Sequence, residues 1–268
     1  MVDLFAAMEK VKELVLEVGQ MQKDNLGKKD LAVDTKSNSL DLVTEIDKKS
    51  EQMIREFIKK NYPSHSILAE ESGLEANKTD YLWVVDPLDG TTNFSQGLPI
   101  FAVSVALQYK KETVLGVVYA PVVDQLFTAI KGQGAFLNGR RLAVSPKTIL
   151  TESVVATGFP YDVRENPVNN LAYFSDLLLV TRAIRRMGAA AYDLACVAAG
   201  FLDGFWELKL SLWDVAAATL LIEEAGGMII YFRQDRGISL IAGNEPICEA
   251  IHYHIKKVDA ANGEKNYN

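Results

Sequence analysis

A short apolar run that ends in two aspartates constrains the fold of this chain more than any other segment. Residues 81–85 read Tyr-Leu-Trp-Val-Val, which is the aromatic and β-branched composition of a buried strand. Asp86 follows at the predicted carboxyl end of that strand, where α/β proteins usually bind ligands. We predict that Pro87 ends the strand and that Asp89-Gly90 forms a turn, because glycine lacks a Cβ and lets an anion approach the backbone.

The residues after this turn are typical of a helix start. Thr91, Thr92 and Asn93 offer capping side chains and free amides, which together favour an anion. Two carboxylates beside an anion site would repel the anion, but Mg²⁺ bridges carboxylate and phosphate oxygens. Taken alone, the motif fits an ordinary capped turn as well as it fits a metal site, so other acidic residues have to decide.

Composition narrows the class of protein. With 268 residues, 49% of them hydrophobic, the chain can bury a large core as one domain or as two packed halves. The net charge of −7 and the scattered basic residues argue against a nucleic-acid partner. Cys196 and Cys248 lack metal-ligand spacing, which indicates free thiols in a reducing compartment. We expect a cytoplasmic protein without a membrane anchor, because no signal peptide and no apolar run of about 20 residues occurs.

Periodicity along the chain predicts an α/β protein whose two parts differ in their pattern of helices and strands. The first part should contain two amphipathic helices, one from Leu4 to about Gly19 or Gly27 and one over 45–60, then a strand at 67–69 and an antiparallel meander over 101–130 followed by a hairpin. After a soft boundary near 145–150, strands should alternate with helices. These are strands at 154–157, 204–207 and 228–231, and helices over 167–180, 189–200 and 213–225.

Several acidic residues could accompany the opening motif. Glu70 and Glu71 follow the strand at 67–69, so one of them points where Asp86 points if the two strands are parallel neighbours. Asp214 stands at the start of a very apolar helix, where a helix cap explains it as well as a metal ligand does. Asp193 lies within a predicted helix and is most easily a surface or interhelical polar contact.

Other catalytic classes lack their signatures. The sequence contains no Gly-x-Ser-x-Gly, no Gly-x-Gly-x-x-Gly and no P-loop motif, so serine nucleophiles, dinucleotides and P-loop nucleotide hydrolysis lose their main support. His65, His252 and His254 are the only histidines, and we interpret all three as surface residues. This interpretation argues against a histidine base or nucleophile.

The motifs together resemble the inositol monophosphatase family, part of the magnesium-dependent, lithium-sensitive type of phosphatase. The three signatures are Ala69-Glu70-Glu71-Ser72-Gly73, the run from Asp86 to Phe94, and Trp213-Asp214-Val215-Ala216-Ala217, with further matches at 35–37, 41–47 and 188–191. The resemblance runs from the first helix to about residue 245. It implies a five-layer α/β/α/β/α sandwich of the sugar-phosphatase type and a homodimer.

The resemblance also implies a role for particular residues. Glu70, Asp86 and the Leu88 carbonyl would hold one Mg²⁺, and Asp86, Asp89 and Asp214 a second, while Glu70 helps to hold a weaker third. Glu70, Thr91 and Asp47 would be catalytic, because they orient the attacking water. Contacts to the substrate would come from Asp89, Gly90, Thr91, Gly188, Ala189, Ala190, Glu207 and Asp214, and Lys36 would lie on a mobile loop near the site.

On this basis we predict two packed halves, 1–147 with most metal ligands and 148–268 with Asp214 and the substrate pocket. The implied activity is Mg²⁺-dependent hydrolysis of inositol monophosphate and similar polyol phosphates by a metal-activated water. Fructose-1,6-bisphosphatase activity, alone or combined with the first, is the closest alternative. A 3'-phosphoadenosine phosphate phosphatase fits less well because those enzymes are generally longer, and a non-catalytic regulatory relative would be expected to lack at least one of the metal-binding acids.

Four features bear on the substrate rather than on the chemistry. Ala189 stands where many relatives carry a hydroxyl residue, and Ala218 where the Trp-Asp motif usually ends in glycine, so either could reshape the alcohol pocket or only repack a helix. Arg185-Arg186 could meet a second phosphate, although an interface or surface role fits arginine better. The turn at 158–161 could line the same pocket.

Overall fold

The computed structural model describes residues 2–28, 32–35 and 42–263. Lys36, the predicted mobile-loop lysine, lies outside the described residues. The helices run as α1 Leu4–Asn25, α2 Glu45–Asn61, α3 Thr91–Ser95, α4 Leu171–Leu178, α5 Ala190–Ala198, α6 Leu212–Glu224 and α7 Glu245–Ala261.

The strands form three sheets. In chain order they are β1 Val33–Thr35, β2 Leu42–Thr44, β3 Ser66–Ala69, β4 Gly73–Glu75, β5 Tyr81–Asp89, β6 Ala102–Tyr109, β7 Glu112–Ala120, β8 Gln125–Ile130, β9 Gly134–Leu137, β10 Arg140–Arg141, β11 Val154–Thr157, β12 Ala183–Arg185, β13 Gly204–Leu210, β14 Met228–Arg233 and β15 Ile238–Gly243. β1 and β2 pair with each other. The eight-stranded sheet has the order β10-β9-β8-β7-β6-β5-β3-β4, and the five-stranded sheet has the order β12-β11-β13-β15-β14.

Helices cover both faces of the two large sheets, which gives five layers. α1 and α2 pack on the outer face of the eight-stranded sheet around Val11, Ile54 and Trp83. α5 and α6 fill the space between the sheets, and α4 and α7 cover the outer face of the five-stranded sheet. The predicted α/β/α/β/α sandwich is therefore confirmed.

α6 reaches the centre of the molecule because small residues let it approach the sheet. Residues 215–222 of this helix are all buried, so the helix is apolar on every side. On the facing strand β7, a Cβ at Gly116 would lie 2.7 Å from the carbonyl oxygen of Ala217. Glycine at this position thus allows helix and strand backbones to pack almost in contact.

The first helix ends near the later of its two predicted end points. α1 continues through Gly19 to Asn25, and Gly27 with a φ of +74° follows it. Gly19 does not end the helix. A Cβ at that position would lie 2.5 Å from the Tyr119 ring, so Gly19 provides room for close packing instead. Asp3 caps the amino terminus by accepting hydrogen bonds from the Phe5 and Ala6 amides.

Pro87 does not end the strand that carries the motif. β5 continues through it to Asp89, and the register against β6 shifts between Asp86 and Asp89, as in a β-bulge. A proline that lacks an N–H is tolerated at such an irregularity because no ladder hydrogen bond is demanded of it. The two aspartates therefore both belong to the strand end rather than to a strand and a following turn.

Two other expectations need correction in the second half. α4 begins at Leu171 instead of 167, directly after Asn170, whose left-handed backbone (φ +76°) is incompatible with a helix interior. β12, β15 and α7 have no counterpart in the sequence-based prediction. α7 carries recognisable signals, because Asn244 caps it by accepting from the Ile247 amide and a proline stands in its first turn.

The interpretation of His65 as a surface residue is wrong. His65 is 7% exposed, and its ring stacks on Tyr81 with 4.6 Å between ring centroids. The Trp83 indole N–H donates to His65 Nδ1 at 3.1 Å, and burial lowers the pKa of the imidazole. His65 therefore acts as a neutral hydrogen-bond acceptor packed between α2 and the sheet, which is a structural role and not that of a catalytic base.

The division of the chain at residue 147 stays a prediction, although the eight-stranded sheet precedes that position and the five-stranded sheet follows it. Among the described helices, none combines the length and the apolar character needed to span a bilayer.

Gly116→Val should lower the free energy of unfolding by about 2–3 kcal/mol, because the new side chain collides with the α6 backbone. Urea denaturation followed by circular dichroism measures the change. Unchanged stability would show that α6 does not pack this closely against β7.

Candidate active site

Two neighbouring parallel strands bring the first acidic residues together. β3 pairs with β5 in parallel, with Ala69 opposite Val85, and the Glu70 amide donates to the Val85 carbonyl oxygen at 3.2 Å. Glu70 and Asp86 therefore follow equivalent positions at the carboxyl ends of adjacent strands, and both line a cavity of about 740 Å³. The neighbouring Glu71 amide instead donates to Glu51 Oε2 at 2.8 Å, which ties this loop to α2.

Asp86 and Asp214 share the acidic end of this cavity. Asp86 is 1% exposed, and its Oδ1 accepts from the Leu88 amide at 3.0 Å. Burial and then the charges of Glu70, Asp89 and Asp214 hold the pKa of Asp86 well above its usual range. Asp214 arrives from the first turn of α6, where its Oδ2 accepts from the Ser211 amide at 2.6 Å. Its pKa is also raised by burial and by neighbouring acids.

Asp89 caps a helix from the other half of the chain. Its Oδ1 accepts from the Ala190 amide at 3.0 Å, and its Oδ2 from the Ala191 amide at 2.8 Å and the Tyr192 amide at 3.3 Å. Ala189 precedes α5 and has no side chain that could cap it, so Asp89 supplies the cap across about a hundred residues of sequence. Burial outweighs these three donors and raises the pKa of Asp89 to about 7.

Thr91, at the start of α3, is held by a buried aspartate. Its hydroxyl donates to Asp47 Oδ1 at 2.7 Å. Asp47 Oδ2 accepts from the Thr44 amide at 2.9 Å and from the Thr44 hydroxyl, so the same carboxylate closes the capping box of α2. Asp47 thereby fixes Thr91 relative to α2, and its catalytic role stays a prediction.

Two glycine loops meet beside Thr91. Gly90 has a φ of +98°, and a Cβ there would lie about 3.2 Å from the Gly188 carbonyl oxygen and from the Ala189 Cβ. Asn93 joins the same two loops, since its Nδ2 donates to the Ile100 and Met187 carbonyl oxygens, both at 2.7 Å. The close approach depends on glycine, and the side chain of Asn93 is a cross-link rather than a helix cap.

Glu207 and an aromatic turn at 158–161 also line the cavity. Glu207 on β13 is 9% exposed, and burial raises its pKa to about 8 against the opposing charge of Arg186. A Cβ at Gly158 would lie 2.1 Å from Glu207 Oε1, so a larger residue at this position would displace the carboxylate.

The lining of the cavity decides several points that the sequence left open. Gly188, Ala189 and Ala190 line it together with Arg186, whereas Arg185 is absent from the lining residues. Ala218 is fully buried within α6 and is absent from the lining as well. Its difference from the usual glycine therefore affects the packing of α6.

The sequence-based interpretation of Asp193 as a surface or interhelical residue is wrong. Asp193 is 2% exposed and lines the cavity, so it is neither a surface residue nor an interhelical contact. Burial and the charges of Glu207 and Asp89 raise its pKa, while Arg186 opposes them. A helical position three residues after Ala190, on the face that carries the glycine loop, was the available signal.

Gln22 contacts the strand that carries the motif, although no sequence pattern indicated this residue. This α1 residue is fully buried, and its Nε2 donates to the Pro87 carbonyl oxygen at 2.8 Å and to the Ser50 hydroxyl at 3.1 Å. The bulge between Asp86 and Asp89 is thus supported from the opposite face of the sheet.

The donor chemistry of the acidic end suits a hard divalent cation. Glu70, Asp86 and Asp214 line one cavity, and burial together with neighbouring negative charges raises the pKa values of Asp86 and Asp214, which a bound cation would counter. Within residues 2–28, 32–35 and 42–263, no three His, Cys, Asp or Glu side chains already form a metal cage. The carboxylates would therefore have to draw together around an ion.

Comparison with known proteins points to one family. A family model described as the inositol monophosphatase family matches residues 6–263. An inositol-1-monophosphatase from Mesorhizobium japonicum is 41% identical over 94% of both chains. A Nus factor SuhB from Pasteurella multocida is 48% identical over 76% of both chains, and a fructose-1,6-bisphosphatase/inositol-1-monophosphatase from Aquifex aeolicus is 39% identical over 93% of this chain and 95% of its own.

A solved structure extends the similarity to the fold. The inositol monophosphatase from Anabaena superimposes with a TM-score of 0.85 at 37% identity, covering 96% of this chain and 97% of that one.

Glu207→Gln should flatten the pH dependence of stability. An acid whose pKa rises from about 4.5 unfolded to about 8 folded favours the folded state at low pH, and this contribution is lost as the pH rises toward 8. The loss is at most about 1.4 kcal/mol per pH unit. Chemical denaturation at pH 5 and pH 8.5 should therefore show the variant gaining stability relative to the wild type at the higher pH. An equal difference at both pH values would contradict the shift.

Proposed function

The chain belongs to the inositol monophosphatase family, and we therefore propose that it is a Mg²⁺-dependent phosphomonoesterase acting on inositol monophosphate and similar polyol phosphates. The observation that carries the proposal is the convergence of Glu70, Asp86, Asp89 and Asp214 on one cavity that Glu207 also lines. The four acidic residues suit metal ions and phosphate, and the region near Glu207 suits an alcohol.

The metal ligands follow from the donor set. Glu70, Asp86 and the Leu88 carbonyl would hold one Mg²⁺, while Asp86, Asp89 and Asp214 would hold a second; a weaker third ion at Glu70 stays a prediction. Asp89 can serve although both its oxygens accept amide hydrogen bonds, because each carboxylate oxygen has a further lone pair. When bound, two ions stabilise the attacking and leaving oxygens of an in-line displacement and lower the pKa of water.

The protein residues would orient the reactants. Thr91 donates its proton to Asp47, so the lone pairs of its oxygen remain available to accept a hydrogen bond from a water in the cavity. Glu70 is the second acceptor for that water. The amides of Gly90 and Thr91 begin α3, where backbone N–H groups lack a helical partner and would bind the phosphate oxygens.

The alcohol portion would lie between the glycine loop and Glu207. Gly188, Ala189 and Ala190 form one wall, with the α5 amides held by Asp89. Glu207 would accept a hydrogen bond from a hydroxyl group of the substrate. The homodimer, the cytoplasmic location and the role of Lys36 stay predictions.

Asp86→Asn should reduce Mg²⁺-dependent phosphate release by at least about 100-fold, because this residue would contact both ions. A colorimetric phosphate assay with inositol 1-phosphate measures the loss. Asp80→Asn, at an exposed position just before the same strand, serves as the control and should keep full activity. Near-normal turnover by Asp86→Asn would disprove the assignment.

Fructose-1,6-bisphosphatase activity is the second candidate, and the position of Arg186 favours it. This cation lines the cavity and could bind a second phosphate, and a dual enzyme is among the relatives.

Arg186→Ala should then lower kcat/KM for fructose 1,6-bisphosphate about tenfold more than for inositol 1-phosphate, since a charged hydrogen bond to the distal phosphate is lost. Arg185→Ala is the matched control, because its side chain does not line the cavity. Equal losses on both substrates would remove Arg186 from bisphosphate recognition. Adenosine 3',5'-bisphosphate as an additional substrate tests whether the protein is a 3'-phosphoadenosine phosphate phosphatase.

A regulatory function without catalysis is the remaining alternative, favoured by relatives named Nus factor SuhB. All four metal-binding acids are present in this chain, which supports catalysis. If a calorimetric titration with Mg²⁺ detects no binding in the millimolar range, the result would support the regulatory alternative instead.

A further inference from the structure

A buried carboxylate in the cavity wall has no part in the reaction described so far. Asp193 is 2% exposed, and within the described residues its Oδ1 has no hydrogen-bond partner. Its backbone is ordinary, since the amide donates to the Ala189 carbonyl oxygen at 2.9 Å. A buried acceptor without a donor costs free energy unless the donor arrives from outside the protein.

Asp193 belongs to the cavity wall near Glu207. Residues three and four apart share a helix face, so Asp193 lies on the face of Ala190 and Ala189, and all three line the cavity. Glu207 borders the same region from β13, and its charge acts on Asp193. Two carboxylates from different elements thus line one region of the cavity, next to the loop that contains Gly188.

The charge of the region favours a neutral donor over a second cation. Arg186 lines the same cavity, and its positive charge acts on both Asp193 and Glu207. Among the described residues it forms no ion pair with either, so it leaves the oxygens of the carboxylates available. A further cation would be repelled by Arg186, whereas hydroxyl groups can donate to two carboxylates without that repulsion.

We propose that Asp193 is a specificity-determining residue, which accepts a hydrogen bond from a hydroxyl group of the substrate alcohol beside the one that Glu207 accepts. This inference rests on the proposed phosphatase function and adds a requirement to it. The alcohol has to carry two free hydroxyl groups close enough together to reach both carboxylates. An ester without them leaves Asp193 unsatisfied and loses selectivity, because sites built to bind a hydroxyl reject analogues that lack it.

The test compares two esters on two variants. Asp193→Leu removes the acceptor oxygens but keeps the branched shape of the side chain, and Asp193→Asn keeps one acceptor oxygen. The quantity measured is kcat/KM for inositol 1-phosphate divided by kcat/KM for 4-nitrophenyl phosphate, at saturating Mg²⁺. This ratio should fall about tenfold or more in Asp193→Leu, as for the loss of a hydrogen bond to a charged group, and should be largely kept in Asp193→Asn.

Two outcomes would overturn the proposal. Equal losses on both esters would assign Asp193 a structural role, and an unchanged ratio would assign it no role in selection. Circular dichroism and thermal melting verify that Asp193→Leu folds; if it does not, Asp193→Ala replaces it in the same comparison.

A binding measurement separates this inference from the proposed function. If the wild type releases phosphate from neither ester, the proposed phosphatase function fails. Saturation-transfer NMR with millimolar myo-inositol needs no turnover and still tests Asp193. Binding by the wild type and by Asp193→Asn, with at least about tenfold weaker binding by Asp193→Leu, supports the role. Equal binding by all three proteins overturns it.

Discussion

The capping of α5 by Asp89 is the interaction on which the arrangement of the site depends. One carboxylate at the end of β5 satisfies three amides that α5 cannot satisfy itself, and it does so from the other large sheet. The bulge around Pro87 turns Asp89 toward these amides, and Gln22 supports the bulge from α1. These buried hydrogen bonds therefore connect the end of β5, with its acidic residues, to the start of α5, which also lines the cavity.

Electrostatic strain is concentrated at this junction. Burial raises the pKa values of Asp86, Asp89 and Asp214, and neighbouring acids raise them further. The helix start at α3 and the amides of α5 supply only partial positive charge, which offsets part of that cost. A site whose buried carboxylates are only partly compensated by positive charge is suited to bind cations and, through them, a phosphate ester.

The sequence predicted the elements with strong periodicity and the acids that belong to recognisable motifs. The five layers are confirmed, and the pairing of β3 with β5 brings Glu70 beside Asp86 as the sequence required. Long-range contacts could not be predicted, because nothing local marks Asp89 as the cap of α5 or His65 as the acceptor of Trp83. Asp193 was missed because the sequence alone does not show that this face of α5 lines a cavity together with Glu207, which comes from β13.

Several acids of the site also serve the fold, and this changes what their presence means. Asp47 closes the capping box of α2, Asp89 caps α5, and Asp214 accepts from Ser211 at the start of α6. A related chain without catalytic activity would still gain folding stability from those three carboxylates. Burying Glu207 and Asp193 costs desolvation free energy, and in the part of the chain that the structure describes neither side chain caps a helix in compensation. Among relatives of uncertain activity, these two positions would therefore distinguish a working enzyme from an inherited scaffold better than the metal-binding aspartates would.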